Sequence, residues 1–222
     1  MADAAPPVPA AVDADAAGDE DQALTRGPDA CEPAMFDAAP GHHDRFRFER
    51  DDGLAGYQDG AGKVVIEPRF MVAYEFSPQG IAGATDEQGH AFIDTHGEVI
   101  ARAFAFDNGP DYFVAGRARI VDGDRVGFID EAGRVVVAPT YDGAGSFCQG
   151  LAPVCTGCRR ELSGEHYELV GGKWGLIDRS GAVVVPLKYD AVRSQDDGIV
   201  VVEGGRTIPL DALGVPRSGA PR

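Results

Sequence analysis

The fold is decided by one stretch, Trp174-Gly175-Leu176-Ile177-Asp178-Arg179-Ser180-Gly181-Ala182-Val183-Val184-Val185. It reads as a short apolar strand, a turn that begins at Asp178, and a returning strand of β-branched residues. An aspartate that starts a turn can accept a hydrogen bond from the backbone two residues on. A glycine three places later can adopt a positive φ at little steric cost. The stretch therefore predicts a β-hairpin.

The same turn pattern recurs along the chain. The aspartates and their glycines are Asp59 and Gly62, Asp94 and Gly97, Asp130 and Gly133, and Asp178 and Gly181. The aspartates are spaced by 35, 36 and 48 residues, which is typical of a repeat protein. Metal ligation or acid-base catalysis is the other interpretation of recurring carboxylates, but a constant turn position favours a structural role.

Each hairpin is followed by a third apolar run, such as residues 198–202, so one unit is a three-stranded antiparallel meander of about 35 residues. Pro186 has no N–H and is expected to end the second strand of its unit. We predict an all-β fold of tandem meanders stacked as an open, solenoid-like array, with a propeller-like closed array as the alternative.

The domain boundaries follow from composition. Residues 1–45 are rich in Ala, Pro and Asp, and they are predicted to form a disordered acidic tail. The repeat domain is predicted to span residues 46–214, and residues 215–222 a flexible C-terminus. The predicted units are about 53–84, 86–121, 123–154 and 171–202, followed by a degenerate cap at 204–215 that contains Asp211 and Gly214 and blunts the open edge of the array.

The composition limits the possible partners. The formal net charge of −16 repels phosphate backbones and anionic lipids, so nucleic acid is not an expected partner. No apolar run approaches the roughly 18 residues of a membrane-spanning helix. The chain as written is expected to be cytoplasmic, or periplasmic or secreted if an export signal has been removed.

The 48-residue period contains an insert at residues 155–168. Cys148, Cys155 and Cys158 fall within eleven residues, close to His166. Three interpretations remain open: a zinc site formed by these four residues, a Cys155–Cys158 disulfide with Cys148 paired to Cys31, or free thiols in a surface loop. The disulfides require an oxidising compartment. A redox catalyst is disfavoured because no helix alternates with the strands.

The run from Lys173 to Asp190 resembles the signature of the bacterial WG-repeat family, and the unit from Arg125 to Val154 is similar to it. The name-giving tryptophan is kept only at Trp174. Its equivalents are Ala55, His90 and Val126, and Ala91 replaces the glycine of the second unit. The resemblance implies a β-repeat architecture and an interaction module.

No catalytic or nucleotide-binding motif is present. We therefore expect a non-catalytic protein-interaction or scaffold module without a cofactor, which binds a protein or peptide mainly through the insert at 155–168. The alternative is a zinc or thiol/disulfide site at Cys148, Cys155, Cys158 and His166, with a structural or redox role. Aromatic residues are expected to pack the seams between units, namely Phe128, Tyr141, Phe147, Trp174 and Tyr189.

Overall fold

The computed structural model describes residues 31, 33–34, 39–163, 166–195, 198–211 and 214–217. Within these residues there is no α-helix, and a short 3-10 segment occurs at His42–Asp44. The strands are β1 (Pro33–Ala34), β2 (Phe46–Glu49), β3 (Ala55–Gln58), β4 (Val64–Phe70), β5 (Val72–Ala73), β6 (Ala82–Asp86), β7 (Gly89–Ile93), β8 (Val99–Ala103), β9 (Ala105–Phe106), β10 (Gly109–Pro110), β11 (Phe113–Val114), β12 (Arg117–Asp122), β13 (Arg125–Asp130), β14 (Val135–Tyr141), β15 (Gly143–Ala144), β16 (Leu151–Ser163), β17 (His166–Asp178), β18 (Val183–Tyr189), β19 (Ala191–Gln195), β20 (Gly198–Glu203) and β21 (Arg206–Pro209).

The long strands form five consecutive antiparallel meanders. The first four are β2-β3-β4, β6-β7-β8, β12-β13-β14 and β16-β17-β18. The fifth consists of β20, β21 and a bridge between Leu210 and Pro216. The short strands β5, β15 and β19 pair with the first strand of the next meander. The second and third meanders share one sheet through β8 and β12, and the described strands close no barrel. The predicted all-β repeat fold is thus confirmed.

The hydrogen-bonded meander is shifted in phase from the predicted unit. The sequence assigned each third apolar run to the hairpin before it, whereas in the structure the run pairs with the strand after it. Leu151, for example, lies opposite Asp178. The cause is the connection after these runs, which is a two-residue turn in several meanders, as between Asp122 and Arg125. Such a turn makes the flanking strands pair with each other.

The aspartate turns have one geometry. At Asp130 the Oδ1 atom accepts hydrogen bonds from the amides of Ala132 and Arg134, at 3.0 and 2.9 Å, and the Gly133 amide donates to the Asp130 carbonyl at 3.0 Å. The glycines of all five turns have φ between 77° and 88°. This is the left-handed region, which glycine enters without the penalty that a Cβ imposes.

The same glycine also lies against the preceding meander. A Cβ at Gly97 would come 2.7 Å from Ile66 Cγ2, and one at Gly181 would come 2.8 Å from Val137 Cγ2. In the first meander, a Cβ at Gly62 would meet nothing within 4 Å. From the second meander onward, the glycine is therefore required both for its φ and for the close approach of neighbouring units.

From the second meander onward, an apolar residue precedes the turn aspartate and fills the interface with the meander before it. Ile93, Ile129, Ile177 and Leu210 are all buried, each in a different apolar cluster. The first meander has the half-buried Gln58 in this place. Of the aromatic residues expected at the seams, Phe128, Phe147 and Tyr189 are buried, whereas Tyr141 and Trp174 are only partly buried.

Arginine side chains add polar links between units. Arg45, just before β2, donates from Nε to the Thr95 carbonyl in the turn of the second meander, at 2.9 Å. Arg117, at the start of β12, donates from Nε to the equivalent Arg179 carbonyl in the turn of the fourth meander, at 3.2 Å. Each satisfies a turn carbonyl of the next meander.

The expectation that Pro186 ends a strand is wrong, because β18 continues to Tyr189. Trp174 pairs with Tyr189 and Leu176 with Val185, so the proline lies in a bulge where no ladder hydrogen bond is needed. Pro68 and Pro139 lie in equivalent bulges.

The backbone of the bulged segment packs directly against the glycine in the opposite strand. A Cβ at Gly56 would come 2.6 Å from the Ile66 carbonyl oxygen. In the second meander, where Ala91 replaces this glycine, Ala91 and Phe92 pair with Arg102 and Ala101 without a bulge. The glycine and the bulge are therefore present or absent together.

Part of the predicted N-terminal tail lies on the array. β1 pairs with β11, and Asp44 Oδ1 accepts a hydrogen bond from the Gly60 amide at 2.8 Å. At the other end, the Arg217 amide donates to the Pro209 carbonyl at 2.9 Å. The predictions for residues 1–30 and 218–222 lie outside the described residues.

We predict that alanine at the turn glycine costs more in a later meander than in the first. Gly62→Ala should lower the free energy of unfolding by about 1–2 kcal/mol through φ strain alone. Gly181→Ala should lose roughly 1–3 kcal/mol more, because its Cβ must displace Val137. Urea unfolding followed by circular dichroism measures both, and equal losses would contradict the double role of the glycine.

Candidate functional site

The insert at 155–168 is a β-hairpin, not the surface loop of the free-thiol interpretation. β16 and β17 pair continuously from Leu151 opposite Asp178 to Ser163 opposite His166, apart from one interruption. The strands of the fourth meander set the register at the base, and the insert extends the same ladder outward. We call residues 156–163 and 166–173 the arm.

Near its base, the backbone of the arm departs from regular β conformation. Gly157, Gly171 and Gly172 all have positive φ, at 73°, 69° and 71°. A Cβ at Gly172 would come 2.6 Å from the Thr156 carbonyl oxygen in the opposite strand. Only glycine allows this local geometry, so the change of backbone conformation is built into the sequence.

The four cysteines form two disulfides. Cys155 and Cys158 are bonded across Gly157, with their Cα atoms 6.1 Å apart, and both are buried. Cys31 is bonded to Cys148 with a Cα separation of 4.5 Å, which ties the segment before the array to the loop that precedes β16.

The structure does not assemble the suggested zinc set of Cys148, Cys155, Cys158 and His166. A zinc-binding cysteine must supply a thiolate, and these sulfurs are bonded to one another or to Cys31. Within the described part of the chain, no cluster of three or more His, Cys, Asp or Glu residues is placed to hold a metal ion. Of the interpretations left open by the sequence, the structure adopts the disulfides.

A groove of about 680 Å³ lies beside the base of the arm. One side is formed by the ends of β7 and β8, and another by the turn between β12 and β13. The arm forms the remaining side. The lining residues that matter here are His90, Arg102, Asp122, Asp124, Asp142 and Arg159.

Most charges around the groove are paired. Arg102 Nη1 lies 2.6 Å from Asp86 Oδ1, and this hydrogen bond lowers the pKa of the Asp86 carboxyl. Asp142 pairs with Arg125 at 2.7 Å. Arg159 pairs with Glu161 on the arm.

Asp122 and Asp124 have no ion-pair partner among the described residues, and both are exposed. The groove therefore carries unneutralised negative charge on the side formed by the turn between β12 and β13.

A buried ion pair supports the groove and the arm. Arg119 Nη2 and Nε donate to the two carboxylate oxygens of Asp111 at 2.7 and 2.9 Å, and both side chains are buried. The Arg119 guanidinium lies 4.1 Å from the centroid of the Phe104 ring, and Arg160 of the arm lies 5.1 Å from the same ring. Sequence reasoning missed this pair, because an arginine eight residues after an aspartate belongs to no recognisable motif.

The end of the arm presents two exposed apolar side chains. Leu162 and Tyr167 are cross-strand partners, with 67% and 71% of their surfaces exposed. Nearer the base, the Trp174 indole N–H donates to the Gly171 carbonyl at 3.1 Å, and the ring is only partly buried. No helix in the described residues is long and apolar enough to cross a membrane.

We predict that breaking the buried ion pair is strongly destabilising. Arg119→Met should lower the free energy of unfolding by about 3–5 kcal/mol, because Asp111 is left buried without its partner. Arg119→Met combined with Asp111→Leu should recover much of this loss, since no charge remains buried. Urea unfolding of the two variants tests this, and a double variant as unstable as the single one would contradict it.

We predict that the purified protein takes up no iodoacetamide under denaturing conditions until it is reduced, and that all four cysteines then react. Removing the 117-residue link with Cys31→Ser and Cys148→Ser should cost on the order of 5 kcal/mol by loop-closure entropy. The short Cys155–Cys158 link should cost less. Intact mass and urea unfolding measure the two effects, and alkylation before reduction would contradict the pairing.

The WG containing repeat family model matches three segments of the chain, residues 56–86, 127–157 and 174–203. Each segment begins at or beside the glycine that faces a proline-containing bulge, at Gly56, Gly127 and Gly175. The second meander, which has Ala91 and pairs without a bulge opposite that residue, is not among the matched segments. No curated protein matches the chain. The meanders, their bulges and the three matched segments together identify the chain as a member of the WG-repeat family.

Proposed function

We propose that this protein is a non-catalytic interaction module, in which the stacked meanders form a scaffold and the arm contacts a protein partner. The observation that carries the proposal is the exposed pair Leu162 and Tyr167 at the end of the arm. Tyrosine is enriched among residues that dominate binding energy at interfaces. A side chain held on a β-hairpin loses less conformational entropy on binding than one on a flexible loop.

Four exposed apolar residues of the array recur at one position from meander to meander. Val64, Val99, Val135 and Val183 lie at the starts of the returning strands, one in each of the first four meanders, with 38–51% of their surfaces exposed. A feature common to the meanders offers little discrimination between partners. The arm interrupts one unit only, so specificity belongs there.

The Cys155–Cys158 disulfide supports binding rather than redox catalysis. Exchange requires a thiolate to reach a sulfur atom, and Cys155 and Cys158 are 0% and 8% exposed. Two disulfides also favour an oxidising compartment, so we place the interaction outside the cytoplasm. The net charge of −16 favours a partner with a basic surface.

We predict that a photo-crosslinking amino acid in place of Tyr167 forms covalent adducts with one protein or a small set of proteins from the source cells. The same amino acid in place of Val64 is the control, because that position is also exposed but lies on the array. Mass spectrometry identifies the adducts. Equal adducts from both positions, or none from position 167, would contradict the proposal.

A second pair of variants separates binding from folding. Leu162→Asp with Tyr167→Asp should weaken binding of the crosslinked partner by about tenfold or more, because the apolar contact is lost. Val64→Asp should leave it nearly unchanged. All three positions are exposed, so thermal unfolding should shift little and serves as the check on folding.

A further inference from the structure

The arm is a two-stranded ribbon whose outer edges are unpaired among the described strands. β15 pairs with β16 only at Val154 and Cys155, and the pairing of β18 with β17 ends at Trp174. Farther out, the two strands pair only with each other. Such an edge exposes backbone N–H and C=O groups that an extended segment of another chain can bond.

The returning strands at the edges of three meanders are protected in a way that the arm is not. Pro68, Pro139 and Pro186 interrupt the edge strands β4, β14 and β18, each within a bulge. Proline and bulges prevent pairing with a further strand. Residues 156–173 contain no proline. The arm is thus a place where strand addition meets no such block.

The edge of β16 that faces β15 continues into the groove. The Asp142 amide donates to the Cys155 carbonyl at 3.0 Å, in the direction of the β15 ladder. Two residues farther along β16, the Gly157 amide donates to the Asp142 carboxylate at 2.6 Å. A side chain here occupies the place where a carbonyl of another strand would accept. Beyond it, Cys158, Arg159 and Arg160 line the groove, whose volume is within the range of ligand sites.

The charges around the groove indicate which kind of peptide segment it can bind. Ion pairs neutralise Arg102 and Arg159, and Arg160 lies over the Phe104 ring. Asp122 and Asp124 have no ion-pair partner within the described residues and line the same groove from the turn between β12 and β13. Together with the net charge of the chain, they favour a lysine or arginine side chain in the bound segment.

We propose that the groove beside β16 binds an extended peptide segment that carries a lysine or arginine and adds as a further strand to the outer edge of the arm. The inference rests on the proposed interaction function and gives its partner a chemistry: main-chain hydrogen bonds supply affinity, and the basic side chain supplies selectivity.

The probe is the best binder selected from a random dodecapeptide phage library on the full chain with its disulfides intact. We expect a peptide with a lysine or arginine. Methylating backbone nitrogens on one alternate set of its residues should weaken binding about tenfold or more, and methylating the other set by less than about threefold, because only one set faces β16. Fluorescence anisotropy measures the dissociation constants.

Protein variants locate the site. Asp122→Asn with Asp124→Asn should weaken the selected peptide about fivefold and reduce the dependence of binding on salt. The control is Glu67→Gln with Glu98→Gln, which removes the same charge from exposed positions outside the groove and should have less than a twofold effect. A library that yields no binder, or a peptide insensitive to both methylation and the Asp122 and Asp124 variants, overturns the inference. If crosslinking through position 167 persists in that case, the interaction function stands without the groove.

Discussion

The whole array depends on one constraint, which is that the residue at the end of each aspartate turn can have no Cβ. Glycine at this position permits the left-handed φ of the turn and, from the second meander onward, contact with a branched side chain of the meander before it. That contact brings the apolar residue ahead of the aspartate, such as Ile129 or Ile177, into the shared interface. A single repeat unit cannot bury its apolar face by itself, so the stability of each meander comes from stacking on its neighbours. One glycine per unit thus couples local turn geometry to the long-range fold.

A second glycine explains which part of the repeat signature is physically required. The tryptophan position holds the buried residues Ala55 and Val126 in two of the matched units, so an indole ring is not needed for packing there. The following glycine is different, because the bulged returning strand crosses directly over it. The bulge also allows proline into an edge strand. The proline and the glycine therefore form one structural unit across two strands, and that unit prevents the array from extending sideways.

The sequence predicted local features better than the relations between them. The hairpins and their repetition can be predicted from the sequence, because each turn needs an aspartate and a glycine three residues apart. Which three strands pair to form one meander cannot be predicted in the same way, since this depends on two-residue turns that vary in composition between units. The arm was missed because its charged and polar residues do not alternate as a half-buried strand does; its register comes from the fourth meander beneath it. Cysteine spacing alone fitted zinc, disulfide or free thiols, and the pair Arg119 and Asp111 required the folded chain to bring it together.

The features that break the repeat lie together, and this argues for their common role. The arm interrupts one unit, three glycines redirect its backbone, and a disulfide bridges Gly157 at the same point. A cross-link over so short a loop restricts the unfolded chain little, so its main effect is to hold the local geometry of the folded arm. Arg160 then anchors the arm over Phe104, which the buried pair of Arg119 and Asp111 keeps in place. These supports fit the proposed binding role, because a surface already held in one orientation loses less conformational entropy when it binds a partner.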